Sequence, residues 1–283
     1  MVKVPDLQKL IDKIEEVVPL PSVAMRIINY IDDPDAEISQ LAKLISMDQA
    51  LTTEVLKLAN SAYYGFPRRV STISEAVVIL GFSTTRSVVW SVILSSTLKK
   101  PVLGYALPEG ALWRHSVAVA VGSKLILQHA NVKGVNMEEA FVAGLIHDIG
   151  KLLLATYVAG AYEEIVKVIA EGKTFDEAER QVLGYDHAVV GAMAAEKWNL
   201  PDIYVDAIKY HHRPSETDNL MAKVVHLADY IAYSMGWGSE GLEGLNYTLE
   251  ENVLEELGIA PEEIDVLFNE TLDQSELFLS SLG

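Results

Sequence analysis

The stretch SVVWSVIL, residues 87–94, decides the fold class of this chain. It is the densest apolar run in the sequence, and its length suits either a buried strand or part of a helix. Ser87, Ser91 and Ser95 recur at every fourth residue, which places these small polar groups on one face of a helix. Clear alternation with a period of two, which is typical of a half-buried strand, is absent from the sequence. We therefore predict that this stretch is helical.

Helical spacing of apolar residues extends outward from this stretch. Residues 38–45 and 51–59 repeat the pattern, and Asp48 is a candidate N-cap for the second of these segments. Residues 174–177, Thr-Phe-Asp-Glu, have the pattern of a capping box, and Asn136 begins a looser version of one. Glycine and proline clusters separate segments of ordinary helix length. The sequence predicts an all-α fold, a helical bundle.

Composition excludes several classes of protein. The 283 residues include 22 Lys and Arg against 40 Asp and Glu, a net charge of −18 that disfavours binding to nucleic acids and to anionic lipids. Cysteine is absent, which excludes disulfides, thiolate nucleophiles and cysteine-ligated zinc. The mixed-charge N-terminus does not resemble a signal peptide, and no run approaches the roughly 18 uninterrupted apolar residues of a membrane span. We expect a soluble cytoplasmic protein with neither nucleic acid nor membrane as a partner.

The histidines divide the chain into two predicted parts. All seven lie from His115 onward, and the linker-like stretch KKPVLGYALPEG, residues 99–110, precedes them. We predict an N-terminal helical module over residues 1–100. Residues 101–283 would then hold the chemical site and, from about residue 240, an acidic helical tail.

The stretch FVAGLIHDIGK, residues 141–151, contains the most informative polar residues. The doublet His147-Asp148 ends an apolar segment, where polar side chains are costly unless they are paired or bound. Other histidines and one aspartate also lie in apolar helical settings: His115, His187, His211, His212 and Asp229. Imidazoles and carboxylates on apolar helix faces are what a metal site inside a helical bundle requires.

The order of these residues resembles the HD superfamily of metal-dependent phosphohydrolases. In that superfamily a first histidine, a His-Asp doublet and a later aspartate follow one another, and here they match His115, His147, Asp148 and Asp229. Residues 20–81 and 179–214 look like the HDOD branch, and the resemblance covers about residues 5–235. It implies an all-α domain of bacterial signalling, used as an output or scaffold module.

Two features distinguish this chain within that superfamily. Many HDOD proteins lack metal ligands, whereas every ligand position is filled here. The cyclic di-GMP phosphodiesterase branch carries a Gly-Tyr-Pro motif after its histidine pair, whereas this chain reads RPSETDNLMAKVV at residues 213–225. Hydrolysis of cyclic di-GMP is therefore disfavoured.

The resemblance implies a ligand set for one or two divalent transition metal ions, Fe, Mn, Ni, Co or Zn. The first site would use His115, His147, Asp148 and Asp229. The second would share Asp148 as a bridge and add His187 and His211, with His212 as a ligand or a supporting residue. Lys151, three residues after Asp148, would bind a phosphate oxygen as a catalytic residue or else be a solvated or helix-end lysine. Arg114 and Arg213 are weaker phosphate candidates.

Three residues outside the motif are assigned structural roles. We expect His129 and His226 to be structural, with a minor alternative of His226 as a ligand, and Glu179 to form a surface ion pair.

Three functions follow as hypotheses. The first is an HDOD signal-transduction protein that acts as a metal-dependent phosphohydrolase on a nucleotide or another phosphorylated small molecule. The second is a non-catalytic regulatory module that binds a signalling protein partner and keeps a structural or vestigial metal site. The third is a di-iron oxygenase, because that chemistry also uses an HD-type ligand set.

Overall fold

The computed structural model is all-α in the part of the chain that it describes, which confirms the predicted fold class. The described residues are 6–12, 14–18, 22–31, 33, 35–130, 132, 135–238 and 242–282. Their α-helices are α1 (Leu7–Asp12), α2 (Ile14–Val17), α3 (Ser22–Ile31), α4 (Ile38–Ser46), α5 (Gln49–Ala59), α6 (Ile73–Leu98), α7 (Ala111–Ala130), α8 (Met137–Ile146), α9 (Ile149–Ala170), α10 (Phe175–Leu183), α11 (His187–Lys197), α12 (Asp202–Tyr210), α13 (Leu220–Ser234), α14 (Val253–Leu257) and α15 (Ile264–Ser281).

The chain forms two compact units. The first unit consists of residues 1–18 and 98–272, and the second of residues 19–97 and 273–283. All seven histidines belong to the first unit. The predicted division of the chain near residue 100 stays a prediction.

In the second unit, the decisive stretch 87–94 lies within α6. The Ser91 hydroxyl donates to the Ser87 carbonyl at 2.7 Å, so this buried hydroxyl finds its partner within the helix. Gly81 interrupts this helix with a φ of 75°, a left-handed conformation that glycine adopts readily. The predicted N-cap of α5 is confirmed, because the Asp48 carboxylate accepts from the Leu51 amide at 2.9 Å.

In the first unit, close contacts between helix backbones bring α7, α8, α9 and α11 together. A Cβ added at Gly144 of α8 would lie 2.6 Å from the Val119 carbonyl oxygen of α7. One added at Gly150 of α9 would lie 1.9 Å from the carbonyl oxygen of His187 in α11. The capping box of Thr174 and Glu177 at the start of α10 is also present. The two glycines permit the close approach of α8 to α7 and of α9 to α11.

The stretch 99–110 is more ordered than a simple linker. It holds a 3₁₀ turn over Leu103–Tyr105 and an isolated bridge between Val102 and Leu107. The Tyr105 side chain is fully buried.

Two segments are long and apolar enough to cross a membrane by length and composition alone. They are residues 73–98 and 137–170, and 50% and 78% of their apolar windows are buried within the structure. Core helices of soluble proteins pass the same test, so this is weak support for a membrane span.

Candidate metal centre

Six helices of the first unit bring the predicted ligand residues into one buried cluster. His115 lies in α7, and His147 and Asp148 form the junction between α8 and α9. His187 begins α11, the pair His211-His212 follows α12, and Asp229 lies in α13. Every one of these side chains except His212 is at most 1% exposed. The structure therefore brings together all seven residues that were predicted as ligands, while their role as metal ligands stays a prediction.

Asp148 lies at the middle of the cluster, with one carboxylate oxygen toward each side. Its Oδ2 lies 3.4 Å from His115 Nε2 and 3.2 Å from His147 Nε2. Its Oδ1 lies 3.3 Å from His187 Nε2 and 3.9 Å from His211 Nε2. This arrangement suits a carboxylate that bridges two cations.

Each side also has further donor atoms. On the first side, Asp229 Oδ1 lies 3.1 Å from His115 Nε2 and 3.8 Å from His147 Nε2. On the second side, His187 and His212 approach each other with their Nε2 atoms 2.9 Å apart. Three groups of residues each offer three ligand atoms that lie within 4.8 Å of one another. The groups are His115, His147 and Asp229; His147, Asp148 and His211; and His187, His211 and His212.

Backbone carbonyls orient three of the imidazoles. The Nδ1 atom of His115 lies 2.9 Å from the backbone oxygen of Trp237. The Nδ1 atom of His147 lies 2.7 Å from the backbone oxygen of Gly144, and that of His211 lies 2.6 Å from the backbone oxygen of Ile208. A ring that donates its Nδ1 hydrogen in this way presents an Nε2 lone pair to the centre.

Glu179 orients the fourth imidazole, and the prediction of a surface ion pair for this residue is wrong. Its side chain is fully buried, and one oxygen lies 2.6 Å from His187 Nδ1 and accepts from the His187 amide at 2.9 Å. The other oxygen accepts from the Tyr105 hydroxyl. Helix spacing was the missed signal, because Phe175, Glu179 and Leu183 follow at intervals of four and share the buried face of α10.

Lys151 is buried, which excludes the alternative of a solvated lysine. Its Nζ lies 2.5 Å from Asp148 Oδ2 and 2.7 Å from Glu243 Oε1. Burial lowers the pKa of Lys151, but Asp148 and Glu243 outweigh burial and hold it above its usual value. Sequence reasoning did not find Glu243, because it follows a glycine-rich stretch without helical periodicity.

The remaining predicted residues make other contacts. His226 Nδ1 lies 2.6 Å from the His211 carbonyl oxygen, and its Nε2 accepts from the Glu250 amide at 3.1 Å. His129 pairs with Glu270 at 2.8 Å. The Arg114 guanidinium lies over the Trp237 ring, 5.9 Å from its centroid. Arg213 pairs with Asp186 at 3.0 Å.

The carboxylates at the centre stabilise positive charge. Burial lowers the pKa of His115, but Asp148 and Asp229 outweigh burial and raise it to about 9. Burial raises the pKa of Asp229, but His115 and His147 lower it to about 2. By contrast, burial and the neighbouring charge of His147 lower the pKa of His211 well below its usual value.

Unsatisfied buried atoms show that the centre fits metal cations. Among the described residues, no hydrogen-bond partner reaches Nε2 of His147 or His211, or Oδ1 of Asp148. Buried polar atoms without partners are costly, and a cation satisfies lone pairs that converge in this way. A set of imidazoles and carboxylates favours a transition metal over Mg²⁺ or Ca²⁺.

Comparison with protein families and known sequences gives consistent matches. Residues 17–214 match the model of the HDOD domain family. An uncharacterized protein of Treponema pallidum (strain Nichols) is 30% identical over 232 residues, which cover 75% of this chain and 42% of the relative. Ribonuclease Y of Mycoplasma capricolum is 32% identical over 120 residues, 42% of this chain and 18% of that protein. The chain thus spans less than half the length of these relatives.

Solved structures share the fold. An HDOD domain protein of unknown function from Geobacter sulfurreducens superposes with a TM-score of 0.69 at 27% identity, covering 98% of this chain and 94% of that one. A provisionally named phosphohydrolase from Shewanella amazonensis SB2B gives 0.73 at 24% identity, covering 97% and 98%. A provisionally named signal-transduction protein from Marinobacter aquaeolei VT8 gives 0.74 at 22% identity, covering 100% and 67%. The last two likenesses show the fold alone.

Proposed function

This chain belongs to the HDOD domain family, and we propose that it is a signalling protein whose metal centre hydrolyses a phosphate ester of a nucleotide or another small molecule. The observation that supports this most strongly is the position of Asp148. Its two oxygens face two separate groups of imidazoles, at 3.2–3.4 Å on one side and 3.3–3.9 Å on the other. A pair of cations that share a carboxylate ligand is an arrangement that can catalyse phosphoryl transfer.

The residues divide between two cation sites. His115, His147, Asp148 and Asp229 would hold one ion, and Asp148, His187 and His211 the other, with His212 beside them. When bound, such cations act as Lewis acids toward a phosphoryl oxygen and make water acidic enough to attack at neutral pH.

Hydrolysis joins a water oxygen to phosphorus and breaks the ester P–O bond, while the departing alcohol takes up a proton. Lys151 would interact with the phosphate during this step. Asp148 and Glu243 keep its ammonium charged, and a fixed positive charge stabilises the negative charge that develops on the phosphoryl oxygens. Glu179 would keep His187 oriented, and burial of the cluster would exclude bulk water.

A regulatory module that binds a protein partner is the second candidate. Burial of the centre favours this regulatory role, because the histidines and aspartates of the cluster other than His212 are at most 1% exposed. A metal held there would then be structural.

Metal content and turnover test the proposal together. Purified protein should contain stoichiometric transition metal and hydrolyse a member of a panel of phosphate monoesters, phosphodiesters and nucleotides. Asp148→Ala should lose both properties, whereas His129→Ala, which alters a histidine paired with Glu270, should keep both. Bound metal without turnover on any panel member would overturn the hydrolase and favour the regulatory module. Oxygen consumption by the iron-loaded protein would instead indicate an oxygenase.

A further inference from the structure

A cavity of about 420 Å³ lies in the first unit, and His212 is the one cluster residue that lines it. The His212 Nε2 lies 2.9 Å from His187 Nε2, so this ring stands between the cavity and the second group of ligands. Its Nδ1 is buried and has no hydrogen-bond partner among the described residues. The volume is at the lower end of the range for small-molecule sites and is too small for a polymer.

The arginines of the cavity are already neutralised by carboxylates. Arg180 Nη1 lies 2.7 Å from Asp176 Oδ2 and also contacts Asp186. Arg213 Nη1 lies 3.0 Å from Asp186 Oδ2 and 3.7 Å from Asp176 Oδ2. Two guanidinium groups thus share two buried carboxylates, and no net positive charge remains from this group.

The other charged groups leave the cavity negative. Glu177 lines the cavity and pairs with Lys173 at 3.3 Å. Glu250 also lines it, and in the described part of the chain no Lys or Arg pairs with it. Its Oε2 instead accepts from the Ser215 amide at 3.2 Å. The remaining lining includes the uncharged polar residues Thr174, Asn246 and Thr248 and the aromatic residue Tyr247.

We propose that this cavity holds the non-reacting part of the substrate, and that it selects a phosphate ester whose remainder is polar, uncharged and no larger than a nucleoside. This inference rests on the proposed function, since it assigns the substrate class of the same centre. The cations at the centre would attract the one phosphate that reacts. A second phosphate on the remainder would meet the Glu250 carboxylate, whose charge no Lys or Arg among the described residues neutralises, and like charges repel.

Equilibrium binding tests this selection without depending on turnover. Two hydrolysis-resistant adenosine 5′-phosphonates serve as probes, one with a free 3′-hydroxyl and one with a 3′-phosphonate, titrated calorimetrically into Mn²⁺-loaded protein. The wild type should bind the 3′-hydroxyl probe more tightly. Glu250→Gln keeps an oxygen for the Ser215 amide, and it should improve relative binding of the doubly charged probe by about fivefold, the scale of one charge pair at contact in water.

Glu109→Gln is the matched control, because it removes the same charge from an exposed residue outside the cavity lining. It should leave the ratio of the two affinities unchanged. Equal or tighter binding of the doubly charged probe to the wild type would overturn the inference, as would no binding of either probe or an unchanged ratio in Glu250→Gln. Selective binding without turnover of any phosphate ester would leave the cavity assignment standing and contradict the proposed hydrolysis.

Discussion

At the scale of single residues, the Glu179 carboxylate determines how His187 faces the centre. It contacts both the ring Nδ1 and the backbone amide of His187, and the Tyr105 hydroxyl holds its other oxygen. Partners of this kind fix the orientation and basicity of a ligating imidazole, and their loss typically lowers metal affinity by 10- to 100-fold.

We predict that Glu179→Gln lowers the affinity for one of two bound metal ions by roughly 10- to 100-fold, because the charge that orients His187 is lost. Metal titration followed by calorimetry should show one site retained and one weakened. Glu177→Gln is the control on the same helix, since glutamine also completes a capping box. Equal loss of both metals in Glu179→Gln, or no loss, would contradict the assigned role.

The charges of the centre also predict a pH dependence for the metal-free protein. The carboxylates raise the pKa of His115 in the folded state from 6.5 to about 9. Protonated His115 therefore contributes stability that is fully present below pH 6.5 and is lost as the pH rises through about 9. The melting temperature of chelated protein should fall over that interval, and less so in His115→Asn. A flat profile in the chelated wild type would refute this electrostatic assignment.

At the scale of helices, the contact of α9 with α11 places the two sides of the centre together. Gly150 permits it, because a Cβ there would lie 1.9 Å from the His187 carbonyl oxygen and 2.7 Å from the Gly191 nitrogen. Both neighbours are backbone atoms, so only a shift of one helix relieves the clash.

Two glycine-to-alanine substitutions in α9 distinguish the effect of this close contact on stability from the effect of helix propensity. Gly150→Ala should destabilise the protein by about 1–3 kcal/mol, the usual cost of overpacking, and should weaken metal binding on the His187 side. Gly160 is exposed and has no atom within 4 Å of an added Cβ, so Gly160→Ala should stabilise by about 0.5–1 kcal/mol. Denaturant unfolding measures both. Similar effects of the two substitutions would contradict the close-contact explanation.

At the scale of the whole molecule, the sequence predicts those features, such as helix caps, that depend on residues close together in the chain. The cap at Asp48 and the box at Thr174 and Glu177 depend on residues within one helical turn, and both are present. The predicted ligand residues were identified from their order along the chain, which the resemblance to a known family supplied. Their distances could not be derived from that order alone.

The supporting contacts depend on distant parts of the chain and were therefore missed. Tyr105 and Glu179 are 74 residues apart, and Glu243 reaches Lys151 from a loop after α13. No local period or spacing marks such pairs, since they exist only once the helices have packed. The net charge of −18 likewise gave no sign that several of the carboxylates are buried around one centre.

Anomalous X-ray diffraction from crystals of the metal-loaded protein tests most directly whether Asp148 bridges two cations. We predict two ions, one bound by His115, His147 and Asp229 and the other by His187 and His211, with one Asp148 oxygen on each. A single ion at saturating metal, ions bound elsewhere, or an Asp148 that contacts only Lys151 would contradict the dinuclear centre.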